Sequence, residues 1–247
     1  MIRRLATALA LLAAAPATAT AAPKCDKCIH ACLLAQEIVF AEKVRSLYGN
    51  ADLIAAAKDA RTLTTRLVPD LLDEWGKAAL ESQAPCWQVA FDHKVPGADD
   101  PEAVARQGTG GTGSSTAMDT DWSSDACKVT DVGHLGDRVC RAISDAAVKH
   151  EAVHHDMCTD AYAAGGNDKA ARMNKDKWLV AIGEVAAYTA QIQALRDSLR
   201  KLTKKKGCGL QGYSDEQLAP PPTKQEAERT RKQVSQIADI FRAGGAR

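Results

Sequence analysis

The cysteines place the strongest constraint on how this 247-residue chain can fold. There are eight of them: Cys25, Cys28, Cys32, Cys86, Cys127, Cys140, Cys158 and Cys208. In an exported chain, an even number of cysteines predicts disulfides that staple distant segments into one domain. The sequence leaves the pairing open. However, Cys140 and Cys158 on one continuous helix would lie about 27 Å apart. A disulfide needs Cα atoms within ~7 Å, so we expect each to bridge to a different segment.

The first residues have the composition of a secretory leader. Residues 1–4 are short and basic, residues 5–15 are almost entirely Leu and Ala, and residues 16–22 are small. This order is typical of a signal peptide, and the apolar run is too short to span a bilayer. The small residues predict cleavage after Ala21, which makes 1–21 the leader and the mature protein periplasmic or secreted. Export would place the cysteines in an oxidising compartment.

The charge balance gives no sign of a polyanionic partner. The chain has 32 Lys and Arg against 31 Asp and Glu, and loss of Arg3 and Arg4 with the leader leaves it close to neutral. Proteins that bind nucleic acids or anionic lipids usually have strongly basic surfaces. No further segment is long and apolar enough to cross a membrane. We therefore expect neither a nucleic-acid partner nor a membrane span after signal removal.

Helical periodicity is clear in residues 22–84, which we interpret as an N-terminal helical region. Gly49 and Asn50 interrupt the pattern, because both residues favour turns and helix ends. Pro69 is expected to begin a new helix, since its missing N–H is harmless in a first turn.

Two regions lack this periodicity. Residues 85–125 are interpreted as a loop or linker region, with a short strand at 87–91. Their glycine run at 108–113 is not followed by the Lys-Ser/Thr of a phosphate-binding loop, so we interpret it as a linker. Residues 211–247 form a polar C-terminal tail, in which the prolines at 220–222 act as a stiff spacer.

Residues 126–210 predict a helical hairpin. The first helix is expected to have an N-cap near Asp137, to run for about 25 residues and to end at Gly165 and Gly166. The second helix is expected to begin near Asp176, with the residues between as the connection. The apolar stripe of the first helix recurs at steps of three and four residues: Val139, Ile143, Ala146, Ala147, His150, Val153, His154 and Met157.

Two histidines on this stripe are spaced to chelate one metal ion. His150 and His154 are four residues apart, so both imidazoles project from one helix face. Neutral imidazole suits zinc. Glu151, beside the first histidine, can reach a water molecule next to the metal without binding the metal itself. The stripe faces the core, so the site would be partly shielded, as a hydrolytic site requires.

The stretch 150–154, His-Glu-Ala-Val-His, resembles the HExxH active-site helix of the zincin metallopeptidases. The later stretch 178–188 resembles the gluzincin branch, in which a glutamate on a later helix is the third ligand. The resemblance therefore implies Zn²⁺ held by His150, His154 and Glu184.

The resemblance, which spans about residues 143–190, also implies a function. A zincin hydrolyses peptide bonds with water at the fourth metal position, Glu151 as general base and Tyr188 as a donor to the oxyanion. The expected substrate is a peptide or a protein. We therefore predict an exported zinc metallopeptidase. Its fold would be a mainly α, disulfide-stapled domain with a zincin-like active-site helix and a long irregular loop.

Two other functions fit the same residues. The chain could be a non-enzymatic exported binding or toxin-associated module whose histidines hold a structural metal or pack in the core. It could instead be a zinc amidase that acts on cell-wall amides. A closed four-ligand site would favour the first alternative, and only substrate profiling separates the second from a peptidase.

Other residues of metal-binding type have simpler interpretations. His155 is turned away from His150 by its five-residue spacing, so we expect it behind the ligands or at the surface. His30, His93 and His134 are isolated in the sequence, and a structural or surface role is expected for each. The cysteines around His30 are expected to form disulfides rather than a metal site. The four tryptophans are expected to anchor the core.

Overall fold

The computed structural model describes residues 25–81, 86, 118–131 and 140–203. Most of these residues are helical, and disulfides join the segments, so the mainly α, disulfide-stapled fold class is confirmed. The elements in chain order are α1 (Lys27–Tyr48), α2 (Ala51–Ala56), α3 (Ala60–Thr62), a π-helical segment (Leu63–Leu67), α4 (Val68–Glu81), β1 (Met118–Thr120), β2 (Val129–Asp131), α5 (Ala142–Lys175) and α6 (Lys177–Thr203).

Helix α1 provides much of the apolar core. Asp26 caps its first turn by accepting hydrogen bonds from the backbone N–H groups of Cys28 (2.9 Å) and Ile29 (3.0 Å), as an N-cap residue does. Most of its 22 residues are buried, which explains why its apolar residues are not confined to one stripe. It packs along α6. The core between these helices includes Leu34, Ile38, Ile192 and Leu195.

The break that the sequence predicts at Gly49 and Asn50 separates α1 from the short helices that follow it. The helix ends at Gly49, and Asn50 caps α2 through its side-chain oxygen. Helical structure then runs without a gap from Ala60 to Glu81, through the π-helical segment. The expectation that Pro69 begins a new helix is wrong, because Pro69 is the second residue of α4 inside this continuous run, directly after the π-helical segment. A proline has no N–H to donate to the preceding turn.

A small antiparallel β-hairpin follows, which the sequence did not predict: β1 lies in the predicted loop region 85–125, and β2 lies at the start of the region 126–210 assigned to the helical hairpin. Strands β1 and β2 pair with Met118 opposite Asp131 and Thr120 opposite Val129. The hydroxyl of Tyr162 in α5 donates a 3.0 Å hydrogen bond to the carbonyl oxygen of Trp122 between the strands. The hairpin therefore lies against α5. The strand expected at 87–91 lies outside the described residues.

The connection between α5 and α6 differs from the sequence prediction. Helix α5 begins at Ala142, and the N-cap expected near Asp137 lies outside the described residues. Gly165 and Gly166 do leave helical geometry, and Gly166 has φ 61° and ψ −153°, a conformation open to glycine but strained for other residues. The first helical run therefore ends at these glycines, as the sequence predicts. The connection expected between the two helices is wrong, because a second helical run follows the kink and continues to Lys175.

Burial explains why the residues after the glycines are helical. Ala170 and Met173 form a small apolar cluster with Ala161, and Met157 and Leu179 pack against it. The segment after the glycines therefore packs back on the preceding part of α5. This apolar contact stabilises a helical turn where the local sequence favours a loop.

Helix α6 begins where the sequence predicts. Asp176 Oδ1 accepts hydrogen bonds from the N–H groups of Trp178 (2.8 Å) and Leu179 (3.2 Å). The helix then packs on both α5 and α1. Trp178 is 45% exposed, so the expectation that all tryptophans anchor the core is wrong for this residue.

Three disulfides join the described segments. They pair Cys25 with Cys140, Cys32 with Cys86, and Cys127 with Cys158. Cys140 and Cys158 thus bridge to different segments, as the helical spacing predicts. The pairing agrees with an oxidising compartment. No helix among the described residues has the length and hydropathy that a bilayer span needs.

Several sequence predictions concern residues outside this description. They are the leader at 1–21, the glycine run at 108–113 and the polar tail at 211–247. His93 and His134 lie outside it as well. Their structure and roles remain predictions from the sequence.

Candidate metal centre

Helix packing brings two histidines of α5 and one glutamate of α6 to a single point. His150 and His154 lie one turn apart, and their Nε2 atoms are 3.1 Å from each other. Glu184 faces both, with Oε2 at 3.5 Å from His150 Nε2 and Oε1 at 3.6 Å from His154 Nε2. The three residues named as metal ligands from the sequence therefore lie together.

Gly183 allows the two helices to approach closely beside this point. The glycine is buried, and a Cβ atom placed on it would lie 2.9 Å from Met157 Cε and 3.9 Å from His154 Cε1. Any side chain would therefore have to displace Met157. The absence of a side chain at this position helps to bring Glu184 within reach of the histidines.

The spacing of the three side chains suits a small divalent ion. Zinc is used here for comparison. Its bonds to imidazole nitrogen and carboxylate oxygen are ~2.0–2.2 Å long, so two ligands in tetrahedral geometry lie about 3.3 Å apart. The two Nε2 atoms are 3.1 Å apart, and each is 3.5–3.6 Å from a different oxygen of the Glu184 carboxylate. The ligand atoms of the group all lie within 4.8 Å of one another. The group can therefore hold a metal ion without rearrangement of the helices.

The charges within the group are strongly coupled. Burial alone would raise the pKa of Glu184, but the imidazoles of His154 and His150 outweigh burial and hold this pKa well below its usual range. Burial alone would lower the pKa of His154, but the carboxylates of Glu184, Glu151 and Asp119 together outweigh burial and raise it. The site thus contains a carboxylate that favours positive charge beside it, which a proton or a metal ion supplies.

The group lines an open cleft rather than a sealed core. The cleft has a volume of about 640 Å³ and is bordered by the β-hairpin, α5, α6 and the end of α1. The side chains of His154 and Glu184 remain 14% and 20% exposed, whereas that of His150 is only 3% exposed. A molecule in the cleft can therefore approach the group from one side.

Two tyrosines line the same cleft. The Tyr188 ring packs edge-on against the His150 imidazole with centroids 4.5 Å apart, and it stacks on Tyr48 with centroids 6.3 Å apart. Tyr188 is the residue that the sequence suggests as an oxyanion donor, and its ring also supports the histidine. Burial, and then the charge of Glu184, raises the pKa of the Tyr48 hydroxyl. This hydroxyl therefore stays protonated and can donate a hydrogen bond.

Glu151 lies beside the three residues without joining them. Its Oε1 is 4.0 Å from His150 Nε2. Its Oε2 accepts a 2.7 Å hydrogen bond from the hydroxyl of Thr120 in β1, and both side chains are buried. One carboxylate oxygen is thus held by the hairpin, and the other points toward the group of ligand atoms. This arrangement suits a base that acts on a water molecule near the metal.

The ring of His150 is held on its far side as well. Its Nδ1 lies 3.0 Å from Gln191 Oε1, and the Gln191 amide nitrogen donates a 3.3 Å hydrogen bond to Glu37 Oε1 in α1. All three side chains are buried. Metal-binding histidines commonly donate their second ring N–H to a neighbouring acceptor in this way.

Comparison with known proteins adds no functional assignment. No protein-family model matches the chain, and neither a curated protein nor a solved structure resembles it significantly. A functional conclusion therefore depends on the arrangement of these side chains.

The remaining histidines of the described residues lie apart from the group. His155 is 44% exposed and contacts Asp156, in agreement with a surface position. His30 is buried near Cys25 and Cys140. These two cysteines form a disulfide, so they cannot offer thiolates to a metal in this state.

Proposed function

We propose that this protein is an exported, zinc-dependent metallopeptidase of the zincin type. The observation that carries the proposal is the convergence of His150, His154 and Glu184, with ligand atoms within 4.8 Å of one another in an open cleft, and with the Glu151 carboxylate beside them. A purely structural zinc site is usually closed by four protein ligands. Three ligands beside a cleft leave one position for a reactant.

The proposed chemistry divides between the ion and the protein. When bound, zinc supplies Lewis acidity toward a water molecule and toward a carbonyl oxygen. Glu151 takes a proton from the attacking water and passes it to the leaving amine. Thr120 keeps this carboxylate in one orientation during both transfers. Glu184 balances part of the charge of the ion. It provides the third ligand from α6, whereas both histidines are on α5.

The cleft supports a peptide as the substrate. Its volume of about 640 Å³ is within the range of sites that hold ligands of several hundred daltons. The hydroxyls of Tyr188 and Tyr48 are the candidates for donating hydrogen bonds to the developing oxyanion, which stabilises the transition state of amide hydrolysis. The leader predicted at 1–21 and the disulfides support action outside the cytoplasm.

The first experiment measures metal content and hydrolysis on the same material. Oxidised protein without residues 1–21 is compared with the variants His154→Ala and His155→Ala. We expect about one zinc per chain, lost in His154→Ala but retained in His155→Ala, because only His154 faces the ligand group. Absence of zinc in well-folded protein supplied with the metal would refute the proposal.

A substrate screen then separates the possible reactions. A quenched peptide library and purified peptidoglycan are tested with the zinc-loaded protein and with His154→Ala. Cleavage of peptides by the loaded protein alone supports a peptidase. Release of cell-wall amides without peptide cleavage would replace it with the amidase. Zinc binding with neither reaction would favour the non-enzymatic module.

A further inference from the structure

We infer that Glu37 and Gln191 are positioning residues that fix the tautomer of His150 so that its Nε2 lone pair faces the metal position. The inference rests on the proposed metal site. It goes beyond that site because it assigns a role to α1, a helix that provides none of the ligands.

The geometry forms a chain of hydrogen bonds from α1 through α6 to α5. The amide nitrogen of Gln191 donates to Glu37 Oε1 at 3.3 Å, and Gln191 Oε1 lies 3.0 Å from His150 Nδ1. Gln191, His150 and Glu37 are 0%, 2% and 4% exposed. Bulk water therefore cannot take the place of any link.

The donor and the acceptor in each of these hydrogen bonds follow from which groups carry a proton. A carboxyl oxygen with no proton can only accept a hydrogen bond, so Glu37 selects the amide nitrogen of Gln191 as its partner. The Gln191 amide then presents its oxygen to His150. Because that oxygen can only accept, His150 Nδ1 must carry the proton in the neutral ring. Nε2 is left with its lone pair.

This tautomer leaves the lone pair on the ring nitrogen of His150 that faces the metal position. His150 Nε2 is the atom that lies 3.1 Å from His154 Nε2 and 3.5 Å from Glu184 Oε2. Metal ions bind the unprotonated nitrogen of a neutral imidazole. Glu37 therefore prepares the ligand atom before any metal arrives, although it lies 154 positions from Gln191 in the sequence.

The test uses two variants and one matched control. Glu37→Gln preserves the side-chain volume but provides an amide that can donate to Gln191 Oε1, which allows Gln191 to turn its nitrogen toward His150. Gln191→Leu removes the acceptor altogether. Gln193→Leu is the control, because Gln193 lies on the same helix and bonds only locally, donating to Asp197 at 3.1 Å.

Two measurements are made on each protein. Nitrogen-15 NMR of the imidazoles in metal-free protein reports the tautomer of His150, and competition with a chromogenic chelator gives the zinc Kd. We expect the Nδ1–H tautomer in the wild type and in the control. In Glu37→Gln and Gln191→Leu we expect the Nε2–H tautomer to become populated and the zinc Kd to weaken about 10- to 100-fold, as for other residues that orient metal ligands.

The two readouts keep this inference separate from the proposed function. If the wild type binds no zinc, the proposed function fails, while the tautomer measurement in metal-free protein still decides the role of Glu37. If the wild type binds zinc and both variants keep the Nδ1–H tautomer with a Kd within twofold, the inference is overturned and the metal site stands. Glu37→Gln decides the matter if Gln191→Leu does not fold.

Discussion

The Thr120 hydroxyl donates a 2.7 Å hydrogen bond to Glu151 Oε2, and both side chains are buried. The bond joins a three-residue strand to the helix that carries the histidines. It leaves Oε1 of the same carboxylate 4.0 Å from His150 Nε2. The β-hairpin thus sets the orientation of the proposed base, and the first two predictions separate the base from its support.

Replacement of Glu151 by Gln should abolish hydrolysis without loss of metal. The amide keeps the volume and can still bond to Thr120, but it cannot take a proton from water, so we expect the rate to fall about 10²- to 10⁴-fold. Peptide hydrolysis and zinc content are measured on the same preparation. Glu74→Gln, a change at an exposed glutamate, serves as the control. Full activity in Glu151→Gln would exclude the assigned role.

Replacement of Thr120 by Val should weaken activity less severely. Valine keeps the shape but removes the hydroxyl, and a hydrogen bond to a charged group contributes about 1.5–3 kcal/mol. We expect kcat to fall roughly tenfold or more because the carboxylate is no longer held in one orientation. The zinc Kd should stay unchanged. Thr130→Val, at an exposed position of the partner strand, should match the wild type; an equal loss in both variants would argue for a general effect on the hairpin.

The Cys127–Cys158 disulfide should hold the same hairpin in place. It closes a loop with a sequence separation of 31, for which the chain-entropy model gives about 3–4 kcal/mol of stabilisation. We expect Cys127→Ala with Cys158→Ala to lower both the melting temperature and kcat. Removal of the Cys25–Cys140 disulfide in the same manner is the comparison, because neither of its cysteines belongs to the β-hairpin. The fall in kcat is compared with the fall in melting temperature for each variant. If the ratio of the two is the same for both disulfides, the Cys127–Cys158 disulfide has no specific role in placing the hairpin.

The ligand residues could be predicted because their pattern is local. His150 and His154 recur at a helical interval on an apolar stripe, and the resemblance to zincins adds Glu184 on the next helix. Gln191 has a weaker local signal, since it lies seven residues after Glu184 and three after Tyr188, on the same helix face. A buried polar residue on an otherwise apolar stripe could have indicated a partner for a ligand.

The supporting residues could not be predicted because tertiary packing alone brings them to the site. Thr120 lies in a three-residue strand that is too short for a period-two pattern. Tyr48 and Glu37 belong to α1, whose burial over most of its surface hides which face meets the site. The helical residues after Gly166 were missed for a similar reason, because burial of Ala170 outweighs the local preference for a loop.

His30 should make stability depend on pH, independently of the metal site. It is 3% exposed, and neither ring nitrogen has a hydrogen-bond partner. Burial lowers its pKa to about 4 from an ordinary 6.5, and Asp145 opposes this shift only in part. Between these pH values the unfolded chain binds a proton that the folded protein does not. Folding stability should therefore fall as the pH drops from 6.5 to 4, by about 3 kcal/mol in total.

The variant His30→Leu should remove this dependence. Leucine has a similar volume and no polar atoms, so the variant should be more stable by about 1 kcal/mol at pH 7.5, because no buried nitrogen is left without a partner. At pH 4.5 the difference should grow to about 3.5 kcal/mol. Urea unfolding at both pH values measures it, and the titration of the other histidines cancels in the comparison. His155→Leu, at an exposed histidine, should follow the wild type. If the pH dependence of wild type and His30→Leu is the same, the His30 imidazole is not held neutral by burial.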